Sequence, residues 1–425
     1  VVTAAAMLLV ANAIGAPAMS DEIMLLKEQN QLLQKQLQSQ QKTIDTLSQK
    51  VDSIQNNRSG EEPSTTGKST DTSSPTFKLG NVDISGEAAA GIFTSEPNGQ
   101  FSKGVFRIDE ARLFLEAPVW EDVYFHSETD LIARESTSLN LTVGALYVDF
   151  EDVSKLWNRE KMLNIRVGRF YTPFGEEYMN RYSMENPLIS HSVSDVWGTD
   201  DGVELYGKIG RIDYVAAIQN GGIKTFQSFQ NDKSIIGRIG ADPTEWLHVS
   251  MSGMRTGKLS VKNGMTAIWF GNGFFRSLGS RGTTTTFHDN LVEADVVLNL
   301  PWGKIRGFGG YVNYGDNDSS IGHDRDVYYY SVEATHDFSQ KFYSAARFSQ
   351  IFAYNGFPVV ANGSFPTYQN GVLTTDYWRL GLGLGYRLGN HLLLKAEYTF
   401  NNGKRSDGKS RNSENSFIME AACNF

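Results

Sequence analysis

Chemistry in this chain would have to start from its histidines and the acids beside them. His126, Glu128 and Asp130 form the one close cluster, and a histidine next to two carboxylates is raw material for a general acid–base or hydrolytic set. Their i, i+2, i+4 spacing puts all three on one face of an extended strand. A ladder of charge along a polar wall accounts for that without a reaction. The remaining histidines, His191, His248, His288, His323, His336 and His391, show no HExxH or other metal-ligand spacing. His323 lies in the acidic run 315–326, whose oxygens could hold Ca²⁺; the order of an EF-hand is missing, and a solvated loop is expected. Gly307-Phe308-Gly309-Gly310 is not followed by a helix, so it reads as glycine for strand packing rather than a phosphate cradle. The single Cys423 excludes an intrachain disulfide framework and a Cys-based zinc site. No catalytic set, metal site or cofactor is expected, and therefore no enzyme.

The elements that carry these residues alternate with period two. Leu380, Leu382, Leu384, Tyr386 and Leu388 oppose Arg379, Gly381, Gly383, Gly385 and Arg387. Leu392, Leu394, Ala396, Tyr398 and Phe400 oppose Leu393, Lys395, Glu397 and Thr399, and Phe417 to Phe425 repeats the pattern. Such alternation means strand. Strands this long, aromatic at both ends of the apolar face and charged on the other, predict a barrel with lipid outside and water inside. Sixteen are expected, at 82–93, 105–116, 120–132, 140–149, 162–169, 202–208, 211–219, 234–241, 246–256, 287–299, 303–314, 327–337, 341–352, 376–388, 390–400 and 414–425. Short connections, such as Pro118-Val119 and Gly389-Asn390, alternate with long ones, such as 170–201 and 257–286. Only 150–161 breaks the rule, with a helical turn expected over Lys155–Met162. An even strand number with short turns on one side is the outer-membrane pattern, and it places both chain ends in the periplasm.

Charge then assigns the faces. An Arg or Lys on the lipid face at mid-depth would cost roughly 2–4 kcal/mol. Arg112, Arg166, Arg238, Arg347, Arg379, Arg387 and Lys395 are therefore predicted to line the pore, with Glu110, Glu128, Asp130, Glu293, Asp295, Glu333 and Glu397 as acids on the same wall. Strands 140–149 and 303–314 have two semi-apolar faces and no clear parity. A formal charge of −9 without a basic stripe argues against nucleic acid, while 12% aromatics and 41 glycines suit such a barrel. No run of eighteen apolar residues follows the N-terminus, so no helix is expected to cross a membrane.

Ahead of the barrel, 1–18 has the apolar stretch and the Ala16-Pro17-Ala18 site of a secretory signal, truncated at its front. From Ile23 to Ile54 the 3-4 spacing of Leu26, Leu33, Leu37, Ile44, Leu47 and Val51 continues without a break, with Asn30 and Gln40 as polar layers. This predicts a self-associating coiled coil over 19–56. Residues 57–78 read as a flexible linker, and 79–425 as the barrel.

Residues 166–177 (Arg-Val-Gly-Arg-Phe-Tyr-Thr-Pro-Phe-Gly-Glu-Glu), 180–182 and 198–207 resemble the phosphate-selective porin O/P family, as does Val105–Leu113. A coiled coil ahead of the barrel is similar in plan to the DcaP-like porins. The resemblance implies a sixteen-stranded, usually trimeric porin passing small anions. The 170–201 segment supports a constriction independently, because long structureless loops are uncommon unless functional. One carrying Phe174, Tyr178, Tyr182, Ile189, Val193, Val196 and Trp197 should fold against the barrel wall. Folded inward, Arg181 and His191 would narrow the pore near Arg166 and Arg112. The expected protein is an outer-membrane porin, a homotrimer in contact with lipid and lipopolysaccharide, passing small solutes such as phosphate or small carboxylates. Lys404, Arg405, Lys409 and Arg411 could gather anions at its mouth. The alternative is a structural anchor whose periplasmic coiled coil tethers the envelope.

Overall fold

Period-two alternation becomes a single closed ladder in the computed structural model, which describes residues 77–134, 141–221, 232–260, 285–318, 324–358 and 373–425. The expected signal and coiled coil, and the linker up to 76, lie outside these. Sixteen long strands run among the described residues. They are β1 Val82–Ser95, β2 Val105–Trp120, β3 Val123–Ile132, β4 Thr142–Phe150, β5 Asn164–Tyr171, β6 Thr199–Ile209, β7 Ile212–Gln219 and β8 Ser234–Thr244. The second half comprises β9 Leu247–Arg255, β10 Thr286–Leu300, β11 Gly303–Asp316, β12 Arg325–Asp337, β13 Phe342–Pro358, β14 Leu373–Arg387, β15 Leu392–Arg405 and β16 Ser416–Asn424.

Each strand pairs antiparallel with the next, and β16 returns to β1 in register from Ser416↔Ser95 to Asn424↔Glu87. The backbones of Gly86 and Phe425 exchange both hydrogen bonds at 2.9 Å and seal the seam. Closure removes the unpaired edges that an open sheet would present. Phe77–Leu79 folds back on β1, so the ladder begins two residues before the expected boundary at 79.

Two local expectations change. Pro118-Val119 is not the first short turn: β2 continues to Trp120, with its register shifted beside Pro118, and the turn is Glu121-Asp122, where Asp122 takes φ +55°. Proline has no N–H for the ladder, so the strand bulges past it instead of ending. The helical turn in the long connection after β4 lies at Val153–Trp157, earlier than Lys155–Met162. Asp152 organises it by accepting from Ser154 Oγ and the Lys161 N–H.

The outer face is apolar. Leu382, Leu384, Leu394, Tyr398 and Met419 are exposed on it, whereas Arg379, Lys395, Glu397 and Glu420 on the opposite face are buried. Aromatics gather at its two rims. Trp302, Phe338, Phe342 and Phe425 are exposed at the short-turn end, and Tyr328, Tyr330 and Phe352 toward the long-loop end. Asn313 and Asp326, paired in register, lie just beyond the second group.

The interior is not uniformly polar, as had been expected. Toward the long-loop end, Phe287, Leu291, Val312, Tyr314, Val327, Tyr329 and Ile351 point inward and pack into one buried cluster. This explains the unclear parity of 303–314: β11 turns Val312 and Tyr314 into that cluster, while its outer face is apolar as well.

Candidate functional site: the inward-folded segment

What the inner cluster packs against is residues 172–198, between β5 and β6. The segment leaves and re-enters the wall through a narrow neck, where the Thr172 N–H donates to Gly198 O at 2.7 Å and Thr172 Oγ1 donates to Gln219 Oε1 at 2.9 Å. Phe174, Val193 and Val196 join the apolar cluster. Ile189 packs with Phe93, Phe101 and Ile418, and Leu188 with Tyr343, Ala345 and Leu393. Gly383 on β14 makes room for it, since a Cβ there would lie 2.5 Å from Leu188 Cδ2. The expected inward folding is therefore the observed arrangement.

A segment whose regular structure is one 3-10 turn at Glu177–Asn180 carries backbone groups that must find partners once buried. The charged wall supplies them with sign matched to need. Carboxylates accept the segment's N–H groups: Glu397 takes those of Ile189 (2.6 Å) and Ser190 (2.7 Å), Glu110 that of Ser183 (2.8 Å), Glu87 that of Met184 (2.8 Å) and Asp295 that of Glu176 (3.2 Å). Cations donate to its carbonyls: Lys395 to Ser183 O (2.7 Å), Arg347 to Ser190 O (2.6 Å), Arg379 to His191 O (3.1 Å) and Arg238 to Gly175 O (2.9 Å). These contacts reach strands on opposite sides of the barrel.

Most predicted basic residues are neutralised along the wall. Arg112 lies 2.9 Å from Asp130, 3.0 Å from Glu110 and 3.4 Å from Glu128, with its guanidinium over the Tyr182 ring. Arg166 meets Asp149 at 2.8 Å and Glu204 at 3.1 Å, between the rings of Tyr147 and Tyr206. Arg347 pairs with Glu333 and Lys395 with Glu420. Arg387 sits at the short-turn rim, 3.1 Å from Asp337. The cluster singled out for chemistry is absorbed in the same way: Glu128 accepts from the hydroxyls of Tyr171 and Tyr182, Asp130 pairs with Arg112, and His126 stacks on Tyr147. At the long-loop rim the expected basic group splits, with Arg411 buried against Glu414 while Lys409 stays exposed.

Arg181 and His191, expected near Arg166 and Arg112, meet each other inside the segment. Arg181 is internal to the segment, 3.1 Å from Asp195, 3.3 Å from His191 Nδ1 and over the Trp197 ring. Asp195, His191 and Trp197 all come from the same chain stretch as Arg181. Arg134, which the sequence reading passed over, completes the group: it meets Asp109 at 2.7 Å, His191 Nε2 at 2.6 Å and donates to Ile189 O at 3.2 Å. It follows β3 in a connection with no alternation to assign it a face. Burial, reinforced by Arg181 and Arg134 against the pull of Asp195, pushes the His191 imidazole down to about 3. It is neutral and able to accept from Arg134. Burial alone would raise the Asp195 carboxyl, but Arg181 and His191 hold it at about 2.

Below the segment, at the short-turn end, lies a cavity of about 770 Å³ faced by Glu87, Glu116, His126, Tyr182, Glu185 and Arg387. A second of about 340 Å³ adjoins it, faced by Glu185, Lys304, Arg306 and Arg387.

A closed sixteen-stranded antiparallel barrel with a charged inner wall and a long segment folded inside it has the porin architecture. The fold is similar to the outer membrane protein OmpT of Vibrio cholerae, at 12% identity and a TM-score of 0.55 over 82% of this chain and 99% of that one. It is similar also to the outer membrane channel DcaP of Acinetobacter baumannii (14%, 0.54, 81% and 97%) and to an anion-selective porin from Comamonas acidovorans (10%, 0.52, 81% and 99%). At these identities the likeness is one of fold. No protein-family model and no curated protein matches the chain.

Proposed function

We propose that this protein is an outer-membrane porin for passive diffusion of small hydrophilic solutes, with residues 172–198 as the element that narrows its lumen. The observation that carries this is the segment itself, held inside a closed barrel whose outer face is apolar and rimmed by aromatics. That face suits lipid, and the cavities beneath the segment, lined by charged side chains, suit an aqueous path. Membership of the phosphate-selective porin O/P family stays part of the reading only through the motifs at 105–113, 166–177, 180–182 and 198–207. Any preference for phosphate or small carboxylates would act through a wall on which Arg112, Arg166, Arg347 and Lys395 already face carboxylates. A homotrimer, with lipid and lipopolysaccharide around it and a coiled coil in the periplasm, completes the proposal; one of the structurally similar proteins is described in a trimer form.

Single-channel recording in planar bilayers tests it. Discrete conductance steps are expected, and the sign of the reversal potential in a KCl gradient decides the charge preference. A second reading draws on a specific observation, the buried apolar cluster and the segment's bonds to many strands. A lumen filled this way suits a structural anchor. A barrel that folds and inserts yet never conducts would favour the anchor over the channel.

A further inference from the structure

Of the two cavities at the short-turn mouth, the larger is faced mainly by acids and the smaller by three cations and three acids. The larger is faced by Asp83, Glu87, Glu116 and Glu185, with Arg387 as the cation on its lining. The smaller is faced by Lys304, Arg306 and again Arg387, with Glu185, Glu333 and Asp337. Met184, Glu185, Arg387 and Leu393 line both, so the two volumes are adjoining lobes of one vestibule under the inward segment.

Ion pairing sharpens the contrast. In the smaller lobe the wall acids are committed, Glu333 to Arg347 and Asp337 to Arg387. Lys304 has no ion pair among the described residues, and Arg306 makes only a 3.8 Å approach to Glu333. In the larger lobe Asp83 pairs with Lys78 at 3.4 Å and Glu87 accepts the Met184 N–H. Glu116 and Glu185 have no ion pair among the described residues. Glu116 in the larger lobe and Lys304 in the smaller are thus left without an ion pair among the described residues, Arg306 is held only loosely beside Lys304, and Glu185 lies where the lobes meet, with Phe114, His126 and Tyr182 beside the acids.

We infer that this vestibule binds zwitterionic solutes, an ammonium group lodging against Glu116 and Glu185 and a carboxylate against Lys304 and Arg306. Fixed charges of opposite sign across a confined space orient a dipolar solute, and the field between them is less screened there than in open solution. A simple cation or anion is attracted by one lobe and repelled by the other. A molecule carrying both groups on a short chain gains from each. The ligand class is amino acids and short peptides with free ends. In its biological sense the inference rests on the channel reading, but binding at the mouth needs no open passage.

The test is ligand titration of the full chain in detergent by saturation-transfer NMR at low salt, using glycine, aminobutyrate and aminohexanoate, with butyrate and butylamine as single-ended controls. At least one of the amino acids should bind about tenfold more tightly than either control. Lys304→Gln and Glu116→Gln should each remove most of that advantage while keeping heat-modifiable electrophoretic mobility, and higher salt should shrink it. Equal affinity for amino acids and controls overturns the inference, as does an advantage that survives in both variants. Amino-acid binding to a barrel that never conducts would reject the channel and leave this site standing; conduction without binding would do the reverse.

Discussion

Arg379 and Arg387 share one face of β14 and one charge, yet their surroundings assign them different work. Arg379 is 1% exposed and donates to Asn401 Oδ1 and His191 O, while Arg387 is a half-exposed rim residue paired with Asp337. Arg379→Ala should cost about 3 kcal/mol, because it strands buried acceptors. Arg387→Ala should cost no more than about 1 kcal/mol, as for a surface pair. Unfolding temperatures from heat-modifiable mobility separate the two, and equal shifts would contradict the assignment. Gly175 takes φ +66°, and a Cβ on it would lie 2.0 Å from Glu293 Oε1. Gly175→Ala should therefore lower stability by about 1–3 kcal/mol, read in the same assay. His191 supplies a pH dependence with a definite sign. Its imidazole titrates near 6.5 when unfolded and near 3 in place, so the unfolded chain takes up the proton first. The stability that neutral His191 contributes is present above pH 6.5 and is lost as pH falls from there toward 3. His191→Gln should flatten that part of the unfolding profile; a variant as acid-sensitive as the parent would exclude His191 as the cause.

At the scale of elements, the inward segment is the proposed constriction. Replacing residues 173–197 with a short Gly/Ser bridge should raise single-channel conductance. It should also lower the unfolding temperature, because Phe174, Val193 and Val196 leave the cluster around Val312 and Val327. Unchanged conductance would mean that some other stretch sets the narrowest point. The strands were legible because period two writes one face apolar and the other polar, as in β14 to β16. Legibility failed at β11, where the inner face is apolar too, since it packs on a segment remote in sequence. The segment announced itself by its aromatic content, but its partners did not. That Lys395 meets Glu420, or that Glu397 takes the Ile189 N–H, follows from strand register and inward folding, which no local spacing encodes. The contacts of Arg134 and Arg181 with His191 escape a local reading for the same reason, as each is assembled only by the fold.

At the scale of the molecule, the seam between β16 and β1 closes everything else. Deleting Ser416–Phe425 would leave β1 and β15 with bare edges, and in hydrocarbon each unsatisfied backbone group costs several kcal/mol. No heat-modifiable species should form from that truncation; a stable inserted barrel without β16 would show that closure is dispensable. The socket around residues 172–198 has a separate consequence. Glu397, Glu110, Glu87, Lys395, Arg347 and Arg379 grip main-chain atoms, which almost any amino acid other than proline would present. At those positions the barrel is a receptacle for a peptide path, while Phe174, Leu188, Ile189, Val193 and Val196 anchor it by their side chains. Glu185 faces the vestibule from that path and is exposed, so it can be rewritten without loosening the seat, and new solute preferences lie within reach of a single substitution.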